Sequence, residues 1–374
     1  MEFLSFLIQY VIPFLAILTV LVFVHELGHF LVARYNKVKV EVFSVGFGQE
    51  LFGWNDKHGT RWRLSAVPLG GYVKMFGEGD VVTGVDDTED RPMTEEEKKV
   101  SFHHKRLSQR TAVVAAGPLA NFLFAVLVFW GINSIFGVPQ ILSAVGGVVE
   151  NTAAEAAGFK EGDVVLSVDG QDITLFSELS EIVAASAHVK LNFEVLRGDQ
   201  VIKLEATPRT WTEDDGSGTV PNKGLLGVRP SAEHVNMERS GVFKGLILGI
   251  EQTYFFTESI LAGVGEMFSG DRSAKELGGV ISIAQFSGEA AQGGFVTTLR
   301  FLAILSINLG LINLFPVPVL DGGHLVFYAA EALRGKPLSQ KLQEYSFRFG
   351  LLLVLLLMVF ATWNDFGRLF DKLG

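Results

Sequence analysis

The residues His25-Glu26-Leu27-Gly28-His29 have the types and spacing of a hydrolytic metal site. Histidines four apart share one face of a helix, about a turn from each other, so both imidazoles can turn a nitrogen toward one ion. Glu26, beside His25, can reach a water on that ion. Two imidazoles from one helix, a carboxylate as general base and a third ligand from elsewhere make a catalytic zinc site. Such a site keeps one position for water and lowers its pKa to about 7. Depth supports this reading. The motif follows roughly twenty apolar residues, a membrane-spanning length, and precedes Phe30-Leu31-Val32-Ala33. An ionisable side chain there costs at least ~2.5 kcal/mol and is ordinarily paired, metal-bound or functional.

The chain has no cysteine, so the third ligand must be an acid or a histidine near the membrane. The run Asn313 to His324 (NLFPVPVLDGGH) offers Asp321 as the better candidate and His324 as its rival. Pro316 and Pro318 deny a continuous helix, placing Asp321 on irregular backbone at membrane depth. Such backbone is tolerated only when buried in protein or lining a watery cavity. The competing reading of Asp-Gly-Gly is an ordinary turn at a helix end.

These residues need elements that span a bilayer. The 374 residues are 48% hydrophobic with 31 Phe, and mean hydropathy is positive, a balance rare in soluble domains. A net charge of −10 argues against a nucleic-acid partner. The N-terminus lacks the basic region and small-residue cleavage site of a removable signal. Apolar stretches at about 3–24, 112–136, 297–315 and 349–362 approach the ~20 residues a spanning helix needs. The fold class read from them is an α-helical integral membrane protein of about four spans. The segments are 1–37 (first span with the motif), 38–110 (loop), 111–137 (second span), 138–210 (inserted domain), 211–295 (linker and amphipathic helix), 296–333 (third span with the third ligand) and 334–374 (loop and fourth span). Arg34, Lys37, Lys39, Lys98, Lys99, Lys105, Arg106 and Arg110 flank the first loop, and Arg334, Lys336, Lys341 and Arg348 the last, whereas 138–239 is acidic. The positive-inside rule puts the basic loops in the cytoplasm and the long segment and both termini outside. Asp321 and the two histidines then share the cytoplasmic half of the membrane.

Residues 38–75 alternate and are glycine-rich, as β-hairpins lying against the membrane on the cytoplasmic side. Residues 244–268 are apolar but interrupted by Glu251, Glu258 and Glu266, as an amphipathic helix at the outer surface. In the inserted domain, strands are expected at 145–149, 163–168, 190–196 and 200–206, with a helix at 175–187. That order, with Gly162-Asp163-Val164-Val165 and Val168-Asp169-Gly170, resembles a bacterial PDZ domain over residues 141–208.

The assembled motifs resemble the site-2 protease family, specifically the bacterial regulator-of-sigma-E protease group. Those motifs are His25 to His29, Gly117-Pro118-Leu119-Ala120-Asn121-Phe122 and Asn313 to Gly323, and the likeness covers nearly the whole chain. It implies Zn2+ held by His25, His29 and Asp321, with Glu26 as general base. It further implies that Asn313 holds the substrate backbone, and that Gly70, Gly71 and Tyr72, in a strand running to Met75, pair with an extended substrate; Asn121 joins this substrate-binding set. Activity, partners and place follow from the same resemblance: an intramembrane endopeptidase of the bacterial inner membrane, cutting single-span proteins such as anti-sigma factors and remnant signal peptides after an upstream site-1 type protease. In one respect the chain departs from the group. Studied members carry two tandem PDZ domains, and residues 211–241 are too few for a second. The alternative from another class is a non-proteolytic adaptor with a tail-binding PDZ-like domain and a structural metal. A metal transporter fits poorly, because spans two and four offer almost no polar path.

Overall fold

The computed structural model describes residues 5–77, 93–210, 223–231 and 234–373. Two compact units result, one formed by residues 1–134 and 241–374 and the other by Ile135–Ser240.

In the first unit, α1 (Leu7–Tyr35), α3 (Leu107–Ile135), α8 (Phe295–Leu314) and the Lys341–Arg368 part of α10 (Gln340–Leu373) are long and apolar enough to cross a membrane. Such helices leave the core few specific contacts, so their packing relies on close approach. Ile17 and Leu21 of α1 pack on Leu302 of α8, and Ala125, Phe129 and Ile132 of α3 pack on Ala303, Ile307 and Leu311. Helix α10 is almost wholly exposed along its span and is held at two places. Gly350 abuts Pro318 and Val319. Asp365, 2% exposed, accepts hydrogen bonds from the Gly279, Ile281 and Ser282 amides at 2.9–3.1 Å. Those amides open α7 (Val280–Gln292), so Asp365 satisfies donors that a helix start leaves orphaned and suits its dipole. The 211–295 segment is expected to hold no such second helix; α7 is short, and its small-residue face meets α1, with Gly288 against Gln9 and Tyr10. Helix α6 (Gly241–Ser269) was expected as an amphipathic element and forms one continuous helix. Its Gly245 and Gly249 sit against Ser134, Trp130 and Val126 of α3.

Between α1 and α3, β1 (Val40–Asn55) and β2 (Arg61–Met75) form an antiparallel sheet, followed by α2 (Glu95–Val100). Each strand bends on glycine: Gly46 (φ 91°) in β1 and Gly70 (φ 144°) in β2, conformations that L side chains resist. The bends let residues 42–45 pair with 61–64 on one side and with 71–74 on the other. Residues 71–75 therefore form an outer edge, and among the described residues no strand pairs with its far side. The sheet is fixed to α1 by an aromatic cluster: Phe43 stacks on Trp62 at 4.2 Å, and Phe30 meets both edge-on. Its turn is tied down by Asp56, which accepts from Arg34 at 2.7 Å and from the His58 and Thr60 amides.

In the second unit, β3 (Val138–Ile141), β4 (Val145–Val148), α4 (Ala153–Ala157), β5 (Val164–Val168), β6 (Gln171–Asp172), α5 (Phe176–Ala185), β7 (Leu191–Arg197), β8 (Gln200–Ala206) and β9 (Arg209–Thr210) follow in order. A four-stranded sheet β6-β5-β7-β8 carries the core of Phe193, Val195, Val165 and Leu179. Asp163, fully buried, takes both carboxylate bonds from Arg197 at 2.7 Å. The expected boundary at 210 is too short. After β10 (Gly224–Leu225), β11 (Val228–Pro230) returns to pair with β4, and β12 (Val235–Glu238) with β3. These pairings occupy strand edges that a domain ending at 210 would leave open. Of the expected linker, residues 211–222 and 232–233 lie outside the described residues.

Burial raises the Asp56 carboxyl, but hydrogen bonds from Thr60, His58, Arg34 and Trp62 outweigh it and bring it down to about 2 from 3.8. A lowered acid stabilises the folded turn above its ordinary pKa and loses that contribution as pH falls through the folded one. Exchange protection of the His58 and Thr60 amides, corrected for intrinsic rate, should therefore fall between about pH 4 and pH 2. Asp56→Asn should show low protection with no such transition.

Candidate metal centre

Helix α1 presents His25 and His29 on one face, both buried. His29 is six residues from Tyr35, so it lies about 9 Å inside the helix end. The opposing wall is α3, where Pro118 sits inside the helix. Its missing N–H leaves the Val114 carbonyl without its helical donor and the ring crowds that turn. The neighbouring Val113 carbonyl accepts from His29 Nδ1 at 2.9 Å. A carbonyl can only accept, so His29 carries its proton on Nδ1 and turns the Nε2 lone pair inward. Gly117 is the floor beneath both rings: a methyl there would overlap His29 Nε2 and Cε1 and come within 2.9 Å of His25 Cε1.

Asp321 arrives from the other side. It is the first residue of α9 (Asp321–Arg334), and not part of the irregular backbone expected for it. The break at residues 315–320 redirects the chain after α8. Gly322 and Gly323 then tuck against the carbonyls of Leu314, Phe315 and Val317, where a side chain would clash. Arg110 of α3 pairs with Glu331 at 2.5 Å and lies over the Tyr328 ring, tying α9 to α3.

His25 Nε2 and His29 Nε2 are 3.2 Å apart, and Asp321 Oδ2 is 3.2 and 3.5 Å from them. Tetrahedral zinc with bonds of about 2.0–2.1 Å spaces its ligand atoms about 3.4 Å apart. The Asp321 Oδ2 atom is buried and is faced only by the two histidine nitrogens. Lone pairs this close repel unless a proton or a cation lies between them, and three donors sharing one point fit zinc on spacing and chemistry. Among the described residues this is the one such cluster, and His324 is outside it; the His324 ring packs edge-on to Phe327.

Glu26 is half-buried and in electrostatic contact with His29, His25 and Asp321. Above it lies the sheet edge. A Cβ on Gly71 would be 2.7 Å from Val22 Cγ1 and 3.0 Å from Glu26 Cγ, so β2 passes against the Glu26 side chain. Tyr72 stacks on Phe47 and takes the Arg63 guanidinium at 5.0 Å. Asn313 lies in the last turn of α8 and donates to the Leu309 carbonyl. Asn121 departs from its expected place in the substrate-binding set. It is fully buried, with Nδ2 at 3.1 Å from His25 Nδ1, because α8 closes over it through Gly310 and Ser306. Neither Gly117 nor the Val113 carbonyl stands out as part of a metal site from the sequence alone. A Gly-Pro pair inside an apolar span was the available signal for both.

Gly117→Ala should drop zinc content well below one ion per chain while helix content by circular dichroism is kept. Asp321→Ala should do the same and His324→Ala should not; atomic absorption of the purified proteins distinguishes the three.

The model of peptidase family M50 matches residues 13–357. A Rhizobium meliloti protein, provisionally named a zinc metalloprotease, is 43% identical over 97% of this chain and 98% of the relative. One from Agrobacterium fabrum, named in the same way, is 40% identical over 98% and 97%. The metalloprotease MmpA of Caulobacter vibrioides is 37% identical over 97% and 96%. A solved PDZ domain of an SdrC-like protein from Listeria monocytogenes covers 26% of this chain at 13% identity, with a TM-score of 0.21 that is too low to bear on the fold. With a family match across nearly its whole length, the chain belongs to peptidase family M50, the site-2 proteases, and is a zinc metalloprotease.

Proposed function

We propose that the chain cuts single-span membrane proteins within the bilayer, with zinc held by His25, His29 and Asp321 and with Glu26 as general base. The observation that carries this reading is the outer strand edge at Gly71, with which no strand among the described residues pairs on its far side, in contact with the same Glu26 that faces the three converging donors. A peptide bond in a membrane helix is shielded by its own hydrogen bonds, so the substrate must unwind before attack. Pairing with residues 71–75 offsets the backbone bonds lost on unwinding. Gly70, Gly71 and Tyr72 supply that edge, and Asn313 holds the substrate backbone from α8. Bound zinc supplies Lewis acidity toward the scissile carbonyl and lowers the pKa of water to about 7. Glu26 takes the proton of the attacking water and passes it to the leaving amine. Helix-weakening residues near the scissile bond should therefore speed cleavage.

The basic loops support an inner-membrane protein whose active site opens toward the cytoplasm, with the inserted, PDZ-like domain outside. Anti-sigma factors and remnant signal peptides, already shortened by a site-1 type protease, are the substrates this reading names. The inserted domain would select among them, by binding tails or by excluding bulk.

Glu26→Gln should keep stoichiometric zinc and the wild-type melting temperature while abolishing cleavage of a single-span substrate in proteoliposomes. Undiminished cleavage would sink Glu26 as the base, and no cleavage by the wild-type chain would favour a structural metal in an adaptor.

A further inference from the structure

From the contact between Asn121 and His25 we infer that Asn121 is a positioning residue for the metal, setting which nitrogen of His25 carries the proton. The inference rests on the zinc site proposed above. The two histidines are backed differently. His29 Nδ1 faces the Val113 carbonyl, a permanent acceptor that locks one tautomer. His25 Nδ1 faces the Asn121 amide at 3.1 Å, and an amide offers a donor on one side and an acceptor on the other.

In the arrangement described, Nδ2 faces the ring and Oδ1 is buried without a hydrogen-bond partner. Nδ1 is then the acceptor, and the ring proton sits on Nε2, 3.2 Å from Asp321 Oδ2. That tautomer cannot ligate through Nε2. Moving the proton to Nδ1 frees the Nε2 lone pair, and a half-turn of the amide brings Oδ1 to the new Nδ1–H. The half-turn gives the orphaned oxygen its partner and carries Nδ2 to the place that Oδ1 held. No backbone change is required. Ser306 Oγ holds the Asn121 carbonyl at 2.9 Å and Gly310 packs against its Cβ, so the amide turns in place. Asn121 thus serves both tautomers without placing a further charge at this depth, where a carboxylate would be costly.

Partners of this kind, hydrogen-bonded to a ligating histidine, are worth about 10–100-fold in metal affinity. The test measures zinc dissociation constants by chelator competition on the detergent-solubilised full chain. Asn121→Leu, which can neither donate nor accept, should weaken zinc about 10–100-fold. Asn121→Asp, which can only accept, should bind at least as tightly as wild type. Wild-type affinity in Asn121→Leu would overturn the inference, whether or not cleavage is lost. Should Asn121→Leu fail to fold, a tenfold loss in Asn121→Asp overturns it instead. His25→Ala separates the two readings. If it retains zinc, the metal site itself is wrong; if it loses zinc while Asn121→Leu keeps it, only the role of Asn121 falls.

Discussion

Three electron-pair donors converge on one point inside a bundle of apolar helices, and the surrounding structure is arranged around the cost of holding them there. An ionisable group in this setting costs several kcal/mol if unpaired. The helices that bury it supply little specificity, since their lipid-facing and core-facing residues are chemically alike. Positions come instead from small departures from regularity. Gly117 lets two imidazoles lie against the α3 backbone, Pro118 loosens the turn beside the Val113 carbonyl, and Gly322 and Gly323 let α9 start where Asp321 meets both rings. Each departure would weaken an isolated helix, and together they build the site.

The same economy governs access to it. An extended peptide in a bilayer needs backbone partners, and the sheet on α1 has an edge segment, 71–75, passing over Glu26. That segment exists because β1 and β2 bend at Gly46 and Gly70; straight strands would pair along their whole length and bring no edge to the helix. Helix α10 buries little of itself and is fastened chiefly at Gly350 and Asp365. It buries less of itself than the other three helices of membrane-crossing length.

Much of the site was legible in the sequence because its signals are local. His25 and His29 four apart, Glu26 between them, and an acid after Pro316 and Pro318 are patterns whose geometry follows from helix periodicity and from what proline forbids. The spans were legible because a bilayer imposes length and composition on any helix that crosses it. The end of the inserted domain was less so. Strands β11 and β12 are short, and nothing in Val228–Pro230 or Val235–Glu238 states that their partners lie some ninety residues earlier, a non-local pairing of the kind that only the folded topology reveals. Helix α7 was missed because its start is satisfied by Asp365, more than eighty residues downstream, and not by a capping residue of its own.

By itself, then, the sequence determined which residues could bind a metal and act as base, and that they lie in a segment apolar enough to cross a membrane, since spacing and hydropathy are properties of the chain alone. Only the tertiary structure brought Asp321, and not His324, to the two histidines, because three residues along one helix turn different faces to them. It set Asn121 against the back of His25. It also gave Gly117 its role, since what an absent side chain makes room for belongs to the neighbouring helix and not to the glycine.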